Sequence, residues 1–219
     1  MRPASLLKAL AFRYTSIAVP RYEFGLEPIQ LANLVLEMDR LKEVRGTIVE
    51  IGVARGMTTR FICEHIVRSG CTDQRLCAID TFSSFLSSDV EYEVKRRGKK
   101  KSDFDDCFAY NDFAKWKKNF PDFPFVEAIQ GDCSTFDYSA IAPIKLAVLD
   151  VDLYLPTKRS LPAIYEHLCE EGAIIVDDVK DAGRWDGAYS AYMEFCRDLA
   201  IVPSIIGNRG GVIRKQKRL

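Results

Sequence analysis

The sequence predicts an α/β fold: a doubly wound, mostly parallel seven-stranded sheet with helices on both faces and a C-terminal antiparallel hairpin. Short apolar runs alternate with segments of helical periodicity, and a glycine-rich connection separates the last two runs. The earlier runs are continuous rather than alternating, which is typical of parallel strands covered on both faces. The strand candidates before the hairpin are 47–51, 76–79, 125–129, 146–149 and 173–176.

The remaining elements follow from periodicity and from turn residues. Pro28 suits the first turn of a helix that ends near Lys42. Gly172 is a candidate stop for the helix predicted at 157–169. Residues 201–206 and 212–214 flank a Gly-Asn-Arg-Gly-Gly sequence, which predicts the hairpin. Further helical candidates lie between the strands, at 58–69, 112–119 and 187–199.

The length of 219 residues predicts a single domain, 1–219, with N-terminal helices at 1–45 and an insertion or lid at 82–111. The insertion carries a basic run, 95–101, for which three interpretations stay open. The run is a solvated face, a mobile lid that offers positive charge to an anionic substrate, or a nucleic-acid patch. An amphipathic segment at 6–17 could pack against a second copy, which would make a homo-oligomer.

Composition narrows the class of protein. Lys and Arg number 31, as do Asp and Glu, so no net charge attracts the chain to nucleic acid or to an anionic membrane. The seven cysteines are odd in number and form no Cys-x-x-Cys, which favours reduced thiols and a cytoplasmic location. No apolar run is long enough to span a membrane.

A glycine-containing loop follows the first predicted strand, in Val-Glu-Ile-Gly-Val-Ala-Arg-Gly-Met-Thr, residues 49–58. Gly52 and Gly56 would let the backbone turn tightly and approach a ligand, and the following helix offers free N–H groups to a carboxylate. Thr58 is a candidate cap of that helix. The alternative is close packing of strand against helix. The Gly-x-x-x-Gly spacing disfavours a nicotinamide dinucleotide site, and with it an oxidoreductase.

Acidic residues follow the next two strands at the same predicted sheet edge. Asp80 lies 24 residues after Gly56, where a doubly wound fold places an acid for ribose hydroxyls. Asp132 follows the third strand, where its carboxylate could accept a hydrogen bond from the exocyclic amine of adenine. The alternative is that Asp132 is a turn residue. Open α/β sheets bind ligands at this edge.

Four further carboxylates follow the fourth and fifth strands: Asp150, Asp152, Asp177 and Asp178. Carboxylates crowded at one edge repel one another, so the cluster requires protonation, basic partners or a divalent cation. Oxygen ligands suit a hard cation such as Mg²⁺. In the alternative, Asp177 and Asp178 cap the following loop and the segment around Asp150 faces solvent.

Four motifs together resemble the class I S-adenosylmethionine-dependent methyltransferases, and more narrowly the macrocin O-methyltransferase-like family, whose members methylate sugar hydroxyls. The motifs are Glu50–Gly56, Asp80-Thr-Phe82, Leu149-Asp-Val-Asp-Leu-Tyr154 and Gly172–Asp178. The resemblance implies a Rossmann-like methyltransferase fold.

The resemblance also implies site residues. The methionine portion of the cofactor would contact Glu50, Gly52, Ala54, Gly56 and Thr58. Ribose would contact Asp80 and Thr81, and adenine would contact Asp132 and Cys133. Mg²⁺ would be held by Asp150, Asp177 and Asp178.

The chemistry inferred is O-methyl transfer, in which Asp150 ligates the metal and Asp150 or Asp152 is the base. The acceptor would be a hydroxylated small molecule such as a sugar or glycoside, or an anionic glycan. Two alternatives remain: a nucleic-acid methyltransferase and a non-catalytic module that binds S-adenosylmethionine. The first is disfavoured because Asp150-Val-Asp-Leu-Tyr154 lacks the prolines of base-methylating motifs, although the basic run and a basic tail, 214–218, leave room for it.

Overall fold

Seven strands form one sheet in the order β3-β2-β1-β4-β5-β7-β6 in a computed structural model that describes residues 3–217. Residues 1, 2, 218 and 219 lie outside the described residues, and with them the end of the basic tail. The first five strands pair in parallel, and β7 pairs antiparallel with β5 and β6. The predicted fold class is therefore confirmed. The strands are β1 Thr47–Ile51, β2 Leu76–Asp80, β3 Val126–Gln130, β4 Ile144–Leu149, β5 Leu168–Val176, β6 Ser204–Ile206 and β7 Gly210–Arg214.

Helices cover both faces of this sheet, so β1 and β4 are buried along their whole length. Ile48 of β1 faces a core that includes Leu34 and Ile62, whereas the next residue, Val49, faces a core that includes Leu161 and Tyr192. Two cores explain why the strand sequences are continuously apolar. The helices are α1 Pro3–Tyr14, α2 Pro28–Arg40, α3 Met57–Arg68, α4 Ser87–Arg97, α5 Phe113–Lys117, α6 Tyr154–His167 and α7 Asp186–Asp198.

The end predicted for the helix at 157–169 is wrong. Helix α6 ends at His167 and β5 begins at Leu168, so Gly172 lies inside a strand. A Cβ atom on Gly172 would lie 2.8 Å from Cγ of Leu168. The glycine therefore permits close packing within β5 instead of ending a helix.

The insertion at 82–111 contains helix α4 and a 3₁₀ turn, Lys101–Asp103. Glu93 of α4 is buried, and its carboxylate accepts a hydrogen bond from the Tyr154 N–H at 2.7 Å. Arg97 and Lys99 reach Asp186 at the start of α7, at 2.8 and 2.7 Å. The insertion is thus fixed to α6 and α7, and its role as a lid stays a prediction.

Helix α1 is exposed along most of its apolar side, with Leu7 68% and Phe12 59% exposed. Its predicted contact with a second copy stays a prediction. Among residues 3–217, none of the helices combines the length and the apolar character that crossing a membrane requires.

Candidate active site

A cavity of about 300 Å³ opens at the carboxyl edge of the parallel strands. It collects most of the residues that the sequence predicts for the site. Those that line it are Gly52, Ala54, Asp80, Thr81, Asp132, Cys133, Asp150, Asp152, Asp177 and Asp178. A second hollow of about 430 Å³ adjoins it and is lined by Glu50 and Thr58 as well as by Gly52. Gly56 lines neither.

The loop between β1 and α3 crosses directly over the end of β4. Gly52 has a φ of +80°, and a Cβ atom there would lie 1.7 Å from the carbonyl oxygen of Asp150. Gly56 has a φ of +89°, and a Cβ atom there would meet the rings of Phe120 and Trp116. Only glycine fits either position, so close packing accounts for both.

The predicted cap of α3 is wrong. Gly56 is the N-cap residue, in the left-handed conformation, and no side chain in the described part of the protein caps the helix. Thr58 is the second residue of α3, since the helix begins at Met57. Its backbone is already helical, whereas an N-cap residue has non-helical dihedral angles.

Asp80 fixes the loop as well as lining the cavity. One oxygen of its carboxylate accepts hydrogen bonds from the N–H groups of Val53 and Ala54, at 2.7 and 3.1 Å. The other oxygen accepts from the Phe82 N–H at 2.6 Å. The Thr81 hydroxyl lies 3.4 Å from this second oxygen, but its single proton has a closer acceptor in the Ser84 carbonyl oxygen at 2.9 Å. One of the about four acceptor positions of the Asp80 carboxylate is therefore left for a ligand hydroxyl.

Glu50 is buried beneath the loop and accepts a hydrogen bond from the Thr59 hydroxyl at 2.5 Å. Burial, together with the nearby charge of Asp80, raises the pKa of Glu50 to about 8 despite this hydrogen bond. Glu50 is therefore largely protonated at neutral pH and supports the loop from below.

Asp132 and Cys133 lie beyond β3 at the far end of the cavity. The Asp132 carboxylate accepts a hydrogen bond from the Ser134 N–H at 2.8 Å, as a turn residue does. It also lines the cavity, so the turn role and the ligand role are compatible. Burial raises the pKa of Cys133 to about 11, which keeps the thiol protonated.

Three carboxylates meet at the ends of β4 and β5. Oxygen atoms of Asp150, Asp177 and Asp178 all lie within 4.8 Å of one another. Asp177 and Asp178 are buried, whereas Asp150 and its neighbour Asp152 are partly exposed to the cavity. The cluster could hold a divalent cation.

These neighbouring charges perturb one another. Burial, and then the charge of Asp178, raises the pKa of Asp177 to about 6. Burial and the nearby carboxylates raise the pKa values of Asp150 and Asp152 well above the ordinary value for aspartate. Such a cluster gains stability from any cation placed among its oxygens.

The sequence analysis missed two residues of this cluster. Arg209, in the hairpin turn, lies 3.3 Å from the Asp177 carboxylate and also pairs with Asp178. Gln30 of α2 is fully buried and donates a hydrogen bond to Asp177 at 2.7 Å. The signal for Arg209 was a lone basic residue in the turn beside β7. It could be interpreted only with the knowledge that β7 lies next to β5.

Aromatic side chains also line the cavity and form its aromatic wall. Phe85 and Phe108 come from the insertion, and Trp185 precedes α7. The Phe85 ring centroid lies 5.4 Å from that of Phe108 and 5.7 Å from that of Trp185. The cavity is thus lined by both charged and aromatic side chains.

This sheet order with its antiparallel last strands, and the row of acids at the carboxyl edge, define a class I methyltransferase. The sequence model of the macrocin-O-methyltransferase (TylF) family matches residues 27–206. The chain belongs to this family and is an O-methyltransferase.

Solved structures share the fold. The calicheamicin methyltransferase CalS11 is 23% identical, with 84% of this chain and 77% of that chain covered and a TM-score of 0.64. The O-methyltransferase NovP is 20% identical, with 86% and 80% covered and a TM-score of 0.67. MycE, solved with Mg, S-adenosylhomocysteine (SAH) and mycinamycin VI, is 13% identical, with 96% of this chain and 54% of that chain covered and a TM-score of 0.55. Comparison with curated protein sequences gives no match.

Proposed function

We propose that this protein transfers the methyl group of S-adenosylmethionine to a hydroxyl of a sugar or glycoside, assisted by Mg²⁺. The observation that carries the proposal is the cluster of Asp150, Asp177 and Asp178 at the edge of a cavity that can also hold a nucleoside. Membership of the macrocin-O-methyltransferase family supports it.

The cofactor would extend along the ends of β4, β1, β2 and β3. Its methionine portion would lie in the hollow beside Gly52, with Glu50 and Thr58, and Ala54 and Gly56 would shape the loop around it. Asp80 has free acceptor capacity for ribose hydroxyls, and Thr81 lies beside it in the cavity. Asp132 and Cys133 would flank adenine, and Asp150 would approach the cofactor from β4.

The donor set fits Mg²⁺. Its members are three carboxylates with oxygens within 4.8 Å, and the cavity leaves space for water and an acceptor oxygen. When bound, the ion lowers the pKa of an acceptor hydroxyl. Gln30 orients Asp177, and Arg209 offsets the charge of Asp177 and Asp178.

The chain's own groups then position the reactants and move a proton. Asp152 has a φ of +59°, which directs its side chain from the turn after β4, and it lines the cavity beside the acidic cluster. We infer that the Asp152 carboxylate, or that of Asp150, accepts the proton of the acceptor hydroxyl. The raised pKa of both groups makes them stronger bases than an exposed aspartate. The remaining rate enhancement would come from holding the acceptor hydroxyl in line with the methyl group of the cofactor.

The acceptor would lie between the acidic cluster and the aromatic wall of Phe85, Phe108 and Trp185. A pyranose ring fits such a site because its C–H face packs on aromatic rings while its hydroxyls reach the polar side. CalS11 is described as a TDP-rhamnose 3'-O-methyltransferase, which supports a nucleotide sugar as one acceptor class.

The basic run supplies less free charge than the sequence suggests. Arg97 and Lys99 pair with Asp186, and Lys95 pairs with Glu91. This pairing favours a sugar over a nucleic acid as the acceptor. All seven cysteines are unpaired, in agreement with the cytoplasmic location that we propose.

The test is methyl transfer from labelled S-adenosylmethionine to a panel of sugars, glycosides, nucleotide sugars and a generic RNA, with Mg²⁺ and with a chelator. We expect transfer to a sugar hydroxyl that the chelator abolishes. With Asp152 as the base, Asp152→Asn lowers the rate at least about 100-fold, whereas an unchanged rate in this variant assigns the proton transfer to Asp150. The double variant Asp177→Asn, Asp178→Asn should behave like chelation. Asp181→Asn, an exposed acid in the same loop, is the matched control. Transfer that survives both chelation and the double variant would exclude the metal role, and transfer only to RNA would exclude the sugar acceptor.

A further inference from the structure

The first turn of α4 places a buried carboxylate in the cavity that the mechanism above does not use. Asp89 is 4% exposed and lines the cavity together with Asp132. Within residues 3–217, the one hydrogen bond that its carboxylate receives is a long one, 3.4 Å, from the hydroxyl of its neighbour Ser88. A desolvated carboxylate normally has stronger partners than this.

Other buried acids of the same region do have such partners. Glu93, one turn further along α4, accepts from the Tyr154 N–H at 2.7 Å and pairs with Arg97 at 2.9 Å. Asp177 accepts from Gln30 and pairs with Arg209. Among the described residues no N–H group donates to the carboxylate of Asp150 or Asp152, but both belong to the proposed metal and base site. Asp89 lies outside that site, so its missing partner requires another explanation.

Local structure does not provide that explanation. An acid in the first turn interacts favourably with the helix dipole, but no N–H group at the start of α4 donates to the Asp89 carboxylate among the described residues. Arg159 of α6 attracts it at longer range without forming an ion pair in the described part of the chain. Desolvation, and then the charge of Asp132, raises the pKa of Asp89.

Asp89 lines the cavity together with Asp132 and Cys133, which follow β3, and the charge of Asp132 acts on it. In the proposed function the part of the cavity beside Asp132 and Cys133 receives the adenine base. Leu86, one turn before Asp89, and Pro156 of α6 also line the cavity and offer apolar surface to a flat ring. Helices α4 and α6 pack against each other, so these side chains lie on neighbouring elements.

We propose that Asp89 is a specificity-determining residue that accepts a hydrogen bond from the exocyclic amine of the cofactor's adenine, opposite Asp132. The inference rests on the proposed function. The insertion therefore supplies part of the cofactor site in addition to covering the acceptor.

Calorimetry with two ligands tests the proposal. SAH carries the 6-amino group, whereas S-inosylhomocysteine carries a carbonyl oxygen that would face the two carboxylates. We expect the wild type to bind SAH at least about tenfold more tightly than the inosine compound, since an unpaired buried polar group costs about one to two powers of ten in affinity.

Two variants assign this discrimination to Asp89. Asp89→Ala should weaken SAH binding about tenfold and reduce the preference for adenine. Asp89→Asn should retain SAH binding through its amide oxygen but lose most of the preference, because its amide N–H can donate to the carbonyl of the inosine compound. Glu91→Ala, an exposed acid on the same helix, is the matched control and should bind like the wild type. Full adenine preference in Asp89→Ala would overturn the proposal. If the wild type binds SAH and the inosine compound with nearly equal dissociation constants, the proposal is overturned without any variant.

Thermal unfolding separates ligand binding from a structural role. Without ligand, Asp89→Ala should melt at or above the wild-type temperature, because it removes a poorly partnered buried charge. Addition of SAH should raise the melting temperature of Asp89→Ala less than that of the wild type. A lower melting temperature without ligand would show that Asp89 serves the fold and would overturn the proposal. If the wild type binds neither compound, the proposed function fails, and this inference fails with it.

Discussion

Replacing Gly52 by alanine should strongly destabilise the protein because the loop after β1 touches the end of β4. The new Cβ atom would lie 1.7 Å from the carbonyl oxygen of Asp150 and 2.7 Å from its carbonyl carbon. Both contacts are with backbone, so no side-chain rotation relieves them. The loop and β4 must separate by more than about 1 Å before the contact is tolerable.

Two costs add in this variant. The φ of +80° at Gly52 lies in the left-handed region, which costs an alanine about 1 to 2 kcal/mol. Forcing extra volume into a packed site costs typically about 1 to 3 kcal/mol, and this overlap belongs at the upper end. We expect a loss of about 4 kcal/mol in the free energy of unfolding.

Urea denaturation of the wild type and of two variants measures this loss. Gly70→Ala is the matched control, because Gly70 has a φ of +73° but a Cβ atom there would come within 4 Å of no other part of the described chain beyond its immediate neighbours. It should lose only the conformational cost, about 1 to 2 kcal/mol. If Gly52→Ala loses no more than Gly70→Ala, the close approach of the loop to Asp150 is not a real constraint.

Three other predictions concern the charged groups. Because the pKa of Glu50 is raised from 4.5 to about 8 in the folded protein, the stability that its protonation confers is fully present below about pH 4.5 and is lost as the pH rises from there through 8. The wild type should therefore lose about 1.4 kcal/mol of unfolding free energy per pH unit between those limits, and Glu50→Gln should lack this loss in denaturation curves measured at several pH values. An unchanged dependence of the unfolding free energy on pH would show that Glu50 is ionised in the folded protein. Arg209→Met should lower stability by about 2 kcal/mol without Mg²⁺ and enlarge the melting shift that Mg²⁺ produces; equal shifts would contradict the charge-offset role. Asp186→Asn should speed proteolysis within the insertion whereas Lys95→Ala, which breaks an exposed pair, should not, and equal rates would mean that Asp186 does not hold the insertion.

The sheet and its row of acids could be predicted because both follow from local rules. Continuous apolar runs identified the strands, and parallel strands bring their carboxyl ends to one edge, so Asp80, Asp132 and Asp150 had to lie near one another. The hairpin followed from the glycines between two apolar runs. These inferences needed only the order of elements along the chain.

What the sequence could not provide depends on contacts between distant segments. Arg209 reaches the acids because β7 lies beside β5, and strand order within the hairpin is not encoded in its turn. Asp89 lies on α4, a helix with few apolar residues, so its periodicity gave no signal. Thr58 failed as a cap because the left-handed Gly56 had already begun the helix, a conformation that the neighbouring residues do not reveal.

The hairpin turn limits how the protein can be engineered. Glycine-rich, exposed turns usually accept inserted tags or whole domains. Here Asn208 is anchored to Glu27 at 3.1 and 3.2 Å, and Arg209 is anchored to the acids at the strand ends. A reporter inserted between them would remove the counter-charge from the centre of the molecule, so fusions belong elsewhere on the surface.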